Sequence, residues 1–421
     1  MINSGSRPFT GLKKNKLATV KSLKAGTAKV DITPPLDIGI LMSSVERKWS
    51  PFLSIRRPLM CRVLVLSDDD TTVAVVALDL LGLTDTSVGG WKYFKETLGE
   101  AVGHINIIVH CTHTHSAPES LALTDLYKNP GFRQWIMHVA QQVKQCVEYA
   151  VLKLQECYVT YGSDILEHFS LQRRIVTEKG MQVSHTLQPI PEALFKKKPV
   201  DRRIRVVRFI SVQSNTVIAS IIHAICHPVH EMCIPHISPD YPGVLCALLE
   251  SGAPSGMPVF LNGAAADINP PTVSCGAACA DTHARAIAAI IDHIPFKTVK
   301  ITPFKHIRRN IQLHPRIFPD APMLTDCLAR INIIRLGDLS IVFLPGEPFV
   351  QTGLDIETQS LFKNTLVAGY CENSIGYIPP EYAFEEGGYE TGPGRWSYLD
   401  TSAESLLKQG ALDMLVKAAQ Q

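Results

Sequence analysis

Three histidines close an apolar run in Ile107-Ile-Val-His-Cys-Thr-His-Thr-His-Ser-Ala-Pro118. His110, His113 and His115 offer imidazoles for a metal or for proton transfer. The β-branched run before them predicts a strand with its histidines at the carboxyl end, where α/β proteins place their ligands. If the extended backbone continues, His113 and His115 share one face. That pair serves one metal, or one metal plus a proton-transfer group. The competing reading is a polar loop whose histidines bind backbone, and His110, one step earlier, keeps that reading. A second apolar run leads into His223-Ala-Ile-Cys-His-Pro-Val-His230, so His227, His230 and later His236 also follow a strand. A third ends in Pro345-Gly-Glu347, a carboxylate after a tight turn, the type that completes a site of two histidines and one glutamate. Asp79 closes a further strand as a helix N-cap, as a partner of a metal-bound histidine, or with no special role. In Ala264-Ala-Ala-Asp267-Ile-Asn269 the small residues let backbone approach a ligand closely, with Asp267 and Asn269 flanking it.

The elements that must position these groups follow from periodicity. Residues 25–31 alternate and stop at Pro34-Pro35. Hairpins are expected for 61–67 with 72–79, 204–210 with 216–225, and 331–336 with 340–344. Helical patterns surround Trp91 and run from Phe132 to Leu154, the longest expected helix. Another helix is expected near 275–291, with Cys275 and Cys279 on one face, and Pro239–Gly243 is a turn before a helix. Between 163 and 200 the pattern weakens. This is read as a surface excursion covering the site, with Arg173-Arg174 starting a strand and Lys196–Lys198 solvated. Thr365–Tyr370 is a strand before the aromatic, glycine-bearing loop 372–390, and Thr401 to Glu404 has capping-box spacing before the last helix. With neither repeat nor linker, the fold class is α/β: a mixed β-sheet core flanked by helices, spanning 25–421 after a basic, disordered tail at 1–24.

Composition bounds the function. The 421 residues are 46% hydrophobic and 19% charged, with a formal net charge of +2. Such a balance gives no field to recruit nucleic acid. No apolar run reaches the roughly 18 residues of a spanning helix, and the basic start lacks the apolar core of a secretory signal. Eleven cysteines, an odd number scattered singly, fit reduced thiols and a cytoplasmic location.

From about Ala25 to Tyr389 the chain resembles the catalytic domain of the neutral (alkaline, non-lysosomal) ceramidases, in the manner of their shorter bacterial-type relatives. Thr112-His-Thr-His-Ser116 matches the family's Thr-His-Thr-His-Ser-Gly-Pro signature, with Ala117 in place of Gly. The resemblance implies a Zn²⁺ cofactor held by His113, by His227 before its proline, by Glu347 in Pro-Gly-Glu, and by Tyr377 in Gly-Tyr-Ile-Pro-Pro. It implies His115 and Tyr389 as catalytic groups, Tyr389 lying twelve residues after Tyr377 and preceding Glu390. The family's Asn-Arg pair appears as Gln172-Arg173. Arg173, Asn269 and Asp267 are then expected to bind substrate. Two departures stand out. Asn269 replaces a serine of the family's Gly-Asp-Val-Ser-Pro-Asn loop, and the chain is too short for the family's carboxy-terminal β-sandwich. The implied function is hydrolysis of a linear amide in a small-molecule or lipid-like N-acyl substrate by metal-activated water, a part of lipid metabolism. An esterase or lactonase using the same centre, and a relative that binds without turnover, are the alternatives.

Overall fold

The computed structural model describes residues 22–100, 105–178, 180–183, 198–252, 256–318 and 327–420. Among these, thirteen strands form one mixed sheet. Its order is Met257–Asn262, Val217–Ala224, Arg203–Ser211, Gln155–Ile165, Lys24–Asp31, Met60–Ser67, Thr72–Leu78, Ile105–Cys111, Asn364–Cys371, Leu339–Pro345, Leu328–Leu336 and Phe304–Gln312. The short strand Lys297–Val299 pairs with Gln155–Ile165 to one side.

The middle strands are apolar on both faces, which is why they read as unbroken runs and not as alternating ones. Val63, Val65, Ala74 and Val76 pack against helices Trp91–Thr97 and Pro130–Leu152. The intervening Leu64, Leu66, Val73 and Val75 share a second core with Val259 and Leu261 of one wing and Phe343 and Ala368 of the other. The sheet therefore curls until its wings cover its own middle, and a bridge between Gly263 and Ala368 joins the two wings. Helices Asp240–Ser251 and Ala277–His293 cover the outside of one wing. Helix Ala403–Gln420 covers the other.

Three neighbouring strand pairs are parallel: Thr72–Leu78 with Ile105–Cys111, Val217–Ala224 with Met257–Asn262, and Leu339–Pro345 with Asn364–Cys371. A parallel pair requires a crossover. Here helices Trp91–Thr97, Asp240–Ser251 and Val350–Gln359 supply one each.

The three expected hairpins form, with 61–67, 204–210 and 331–336 each antiparallel to its expected partner. The strands Gln155–Ile165 and Phe304–Gln312 have no counterpart in the sequence reading. Residues 1–21 of the expected tail lie outside the described residues. Leu23 is buried and Lys24 opens a strand, so the ordered chain begins before Ala25. Arg174 does start a strand, paired as a hairpin with Gly180–Val183, while Lys196 and Lys197 lie outside the described residues. Lys198 is not solvated as expected: it pairs with Glu386 at 2.6 Å. Cys275 precedes its helix instead of sharing a face with Cys279. The expected capping box does not close either, because Glu404 instead accepts from Thr352 Oγ1 at 2.9 Å.

Candidate metal and catalytic centre

The parallel crossovers explain why distant residues meet, since each delivers the chain to the carboxyl end of a strand. His113 follows Ile105–Cys111, but not in extended form. Its φ is +69° and its N–H donates to Leu80 O at 2.9 Å. The expectation of a shared strand face is thus corrected: a left-handed kink brings His113 Nε2 to 3.4 Å from His115 Nε2. His227 follows Val217–Ala224 and is fixed by its N–H to Ile268 O at 3.0 Å. Glu347 follows Leu339–Pro345 after Gly346, which has φ +65°. A Cβ on Gly346 would sit 2.6 Å from Gly376 O, the carbonyl that receives the Glu347 N–H at 3.0 Å. Glu347 then pairs in parallel register with Tyr377.

The imidazole tautomers follow from their outer contacts. His113 Nδ1 lies 2.6 Å from Leu81 O, and His227 Nδ1 lies 2.6 Å from Ala265 O. A carbonyl only accepts, so both Nδ1 atoms carry hydrogen and both Nε2 atoms turn lone pairs inward. Arg173 Nη1, which can only donate, lies 3.3 Å from His227 Nε2 and agrees. Glu347 Oε2 lies 3.3 Å from His113 Nε2 and 3.5 Å from His227 Nε2, and it is buried without a hydrogen-bond partner among the described residues. Three electron-pair donors thus face one another with no proton between them. Such a donor set fits a cation. The ligand atoms of His113, His115 and His227 also lie within 4.8 Å of one another. Loading a metal on His227 requires the Arg173 bond to open.

Burial governs the charges. It pulls His227 down to about 4, helped by Arg173. Burial, followed by His113 and His227, drives His115 well below its usual range.

Arg173 ties the centre to the loop 372–390. Its Nε donates to Glu390 Oε1 at 2.7 Å and its Nη2 to Tyr377 OH at 3.1 Å. Arg174 pairs with the other oxygen of Glu390. Tyr389 stands 5.7 Å from the Tyr377 ring, stacked on Trp396 at 5.1 Å and 9°. Its hydroxyl meets Ser44 Oγ at 2.7 Å.

Other residues take different places. Asp267 is taken up by neighbouring donors: Oδ1 accepts the Val350 N–H at 2.8 Å, Oδ2 accepts Gln172 Nε2 at 2.9 Å, and its carbonyl accepts the Arg173 N–H at 2.8 Å. It braces the binding loops from behind. His230 turns away to His283, 3.0 Å distant, and His236 to Glu231 at 2.6 Å. The second histidine cluster therefore gives the centre only His227. Asp79 accepts from Met60 N and Arg62 Nη1, at 3.0 and 3.2 Å, bracing the strand end. His110 keeps its backbone role, with Nδ1 3.0 Å from Gly369 O and Nε2 accepting the Asn262 N–H at 3.1 Å. Tyr370, read from the sequence only as the end of a strand, stacks on His113 at 4.1 Å, and its hydroxyl is buried without a partner among the described residues.

Two cavities meet at the centre and share the wall made by Leu41, His115, Tyr377 and Tyr389. One, of about 320 Å³, is walled by Met42, Val229, Met232 and Val273 and includes Arg173 and Asn269. The other, of about 330 Å³, includes His113 and Glu347 and extends to Asp85, Tyr127 and Arg395. No helix among the described residues is long and apolar enough to cross a membrane.

No protein-family model matches the chain, and no curated protein does. Solved structures do. A ceramidase complexed with C2 superposes with a TM-score of 0.75 at 16% identity, over 95% of this chain and 76% of that one. The neutral ceramidase from Pseudomonas aeruginosa gives 0.73 at 17% identity, over 95% and 75%. At such identities the likeness is one of fold. Along 95% of its length the chain has the fold of the neutral ceramidases.

Proposed function

We propose that the protein is a zinc-dependent hydrolase of linear N-acyl amides, with residues 25–421 as one catalytic unit. The observation that carries this reading is the set of facing lone pairs on His113, His227 and Glu347 at the wall between two cavities. Two ligands of one tetrahedral zinc, with bonds of about 2.0–2.2 Å, lie roughly 3.3 Å apart. The separations of 3.3 and 3.5 Å match that spacing. His113, His227 and Glu347 would hold the ion, with Tyr377 beside Glu347 as the fourth ligand. The amide class rests on the fold shared with proteins named ceramidases.

Zinc bound there would polarise a carbonyl oxygen and lower the pKa of water to about 7. The chain's own residues then do the rest. Tyr389, held by its stack on Trp396, donates its hydroxyl proton toward the oxygen on which charge develops, a contribution of about 3 kcal/mol in comparable sites. His115, half-buried on the shared wall, takes the proton from the attacking water and returns it to the leaving amine, worth about 10² to 10⁴ in rate. Arg173 is oriented by Glu390. Asn269, whose Oδ1 is buried without a partner among the described residues, offers an acceptor to a substrate hydroxyl or N–H. No serine is needed at that position.

The test is turnover of N-acyl amides of graded chain length, each paired with its ester, by zinc-loaded protein. Amide cleavage that stops on chelation and returns with zinc is the expected result. Protein with bound zinc that cleaves esters and no amide would overturn the amide assignment. Turnover that survives complete metal removal would overturn the zinc assignment.

A further inference from the structure

The two cavities differ in their charged groups. In the apolar one, the Arg173 charge is taken by Glu390 at 2.7 Å. Arg395, in the other cavity, is placed differently. Its Nη1 points to the backbone carbonyls of Ala122 and Thr124, at 3.3 and 3.5 Å. Its Nε is buried without a partner among the described residues. Among the described residues these two neutral carbonyls are its polar contacts. A half-buried guanidinium normally stands opposite a carboxylate, because it is always charged and its planar fork matches two oxygens. A buried donor left unpaired also costs free energy unless something fills it.

The surroundings favour an oxyanion. Thr84, Thr86, Ser374 and Tyr127, each carrying a hydroxyl, line the same cavity. Its carboxylates are Glu347, at the metal centre, and Asp85, whose Oδ1 accepts the Trp91 N–H at 2.7 Å. The cavity runs from the reacting atoms to Arg395, so a substrate arm entering it brings its end group to the guanidinium.

We propose that Arg395 selects N-acyl amides that carry a carboxylate on the arm occupying this cavity, the class of N-acyl amino acids. The inference rests on the amide-hydrolase reading above. The acyl chain occupies the apolar cavity, the amide lies at the shared wall, and the carboxylate takes the fork of Arg395. Nothing in the sequence motifs marks this residue, because it lies beyond Tyr389 in Gly392-Pro-Gly-Arg395.

The experiment compares kcat/KM for an N-acyl amino acid with that for its isosteric carboxamide, in the native protein and in Arg395→Gln and Arg395→Lys. A charge-assisted hydrogen bond predicts about a 10- to 100-fold preference for the carboxylate. That preference should vanish in the Gln variant and survive in part in the Lys variant. Because each ratio is taken within one preparation, it does not depend on how much of a variant is folded. An equal ratio in native and Gln protein overturns the proposal. If no amide is cleaved at all, the hydrolase reading fails, and calorimetric binding of the same pair still decides the arginine. A carboxylate preference in binding that Arg395→Gln abolishes upholds the anion site, and its absence removes it.

Discussion

Glu347 is 5% exposed, and its Oε2 faces two imidazole lone pairs. A buried carboxylate without a compensating charge is strongly disfavoured. Metal ligation and catalysis can be separated at single residues on this basis. Glu347→Gln keeps the shape but removes the charge, so zinc occupancy measured by elemental analysis should fall steeply. Tyr389→Phe should keep full occupancy and lose about 10² to 10³ in kcat, as expected for one donor to a developing oxyanion. Equal occupancy in the two variants would dismiss Glu347 as a ligand. Ser44 adds a finer distinction. If its hydroxyl donates to Tyr389, 2.7 Å away, the phenol proton is left free for substrate. Of the proposed site residues, His113, His227 and Glu347 stood out in the sequence because each follows an apolar run, whereas Tyr377 and Tyr389 lie in a loop and entered only through the family resemblance. Ser44 and Tyr370 did not stand out, since one lies in a hairpin turn and the other inside a strand. Only the tertiary curl of the sheet brings them to the centre. Asp267 shows the opposite error: a carboxylate in the right loop, spent on backbone and amide donors.

Strand ends aim the side chains, and a single glycine sets the direction of one of them. Gly346 has φ +65° and no room for a Cβ against Gly376 O. The same carbonyl orients the Glu347 N–H, and Glu347 is in register with Tyr377. Gly346→Ala should therefore do two things at once. It should destabilise the fold by about 1–3 kcal/mol through backbone strain. It should also lower zinc affinity, because Glu347 and Tyr377 move together. A loss of stability with unchanged affinity, by denaturant titration and a zinc competition assay, would show that the turn does not set the ligand geometry. The hairpins were readable at this scale because buried parallel and central strands are continuous apolar runs. Phe304–Gln312 was not. It is an edge strand of sequence Phe-Lys-His-Ile-Arg-Arg-Asn-Ile-Gln, exposed at Arg308, Arg309, Asn310 and Gln312, and charge on an edge strand guards against pairing with another chain while hiding the strand from a periodicity search. The direction of approach at His113 was also hidden, because a φ of +69° on a non-glycine residue leaves no mark in the composition.

Neutral histidines tie the layers of the curled sheet together. His110 links its own strand to two others, through Gly369 O and the Asn262 N–H. His223 lies 2.9 Å from Val367 O on the opposite wing and 3.2 Å from Arg205 Nη1. Both use one nitrogen as donor and one as acceptor, a pattern available only to neutral imidazole. Burial pulls both down to about 3, with Arg205 adding to it at His223, and pulls His230 and His306 down to about 4. In the unfolded chain a histidine titrates near 6.5, so as pH falls the unfolded state binds these protons first. The stability contributed by each histidine is therefore complete above pH about 6.5 and lost as pH falls toward its folded value. Each proton taken up steepens the loss by about 1.4 kcal/mol per pH unit. Unfolding free energies of metal-free protein should accordingly drop between pH 6.5 and 5, before most carboxylates protonate. His223→Gln removes one titrating group, so its denaturant-derived stability should start lower at pH 7 and fall with a shallower slope. An unchanged slope in that variant would mean that the loss comes from groups elsewhere and that the neutral imidazoles do not set the acid limit of the fold.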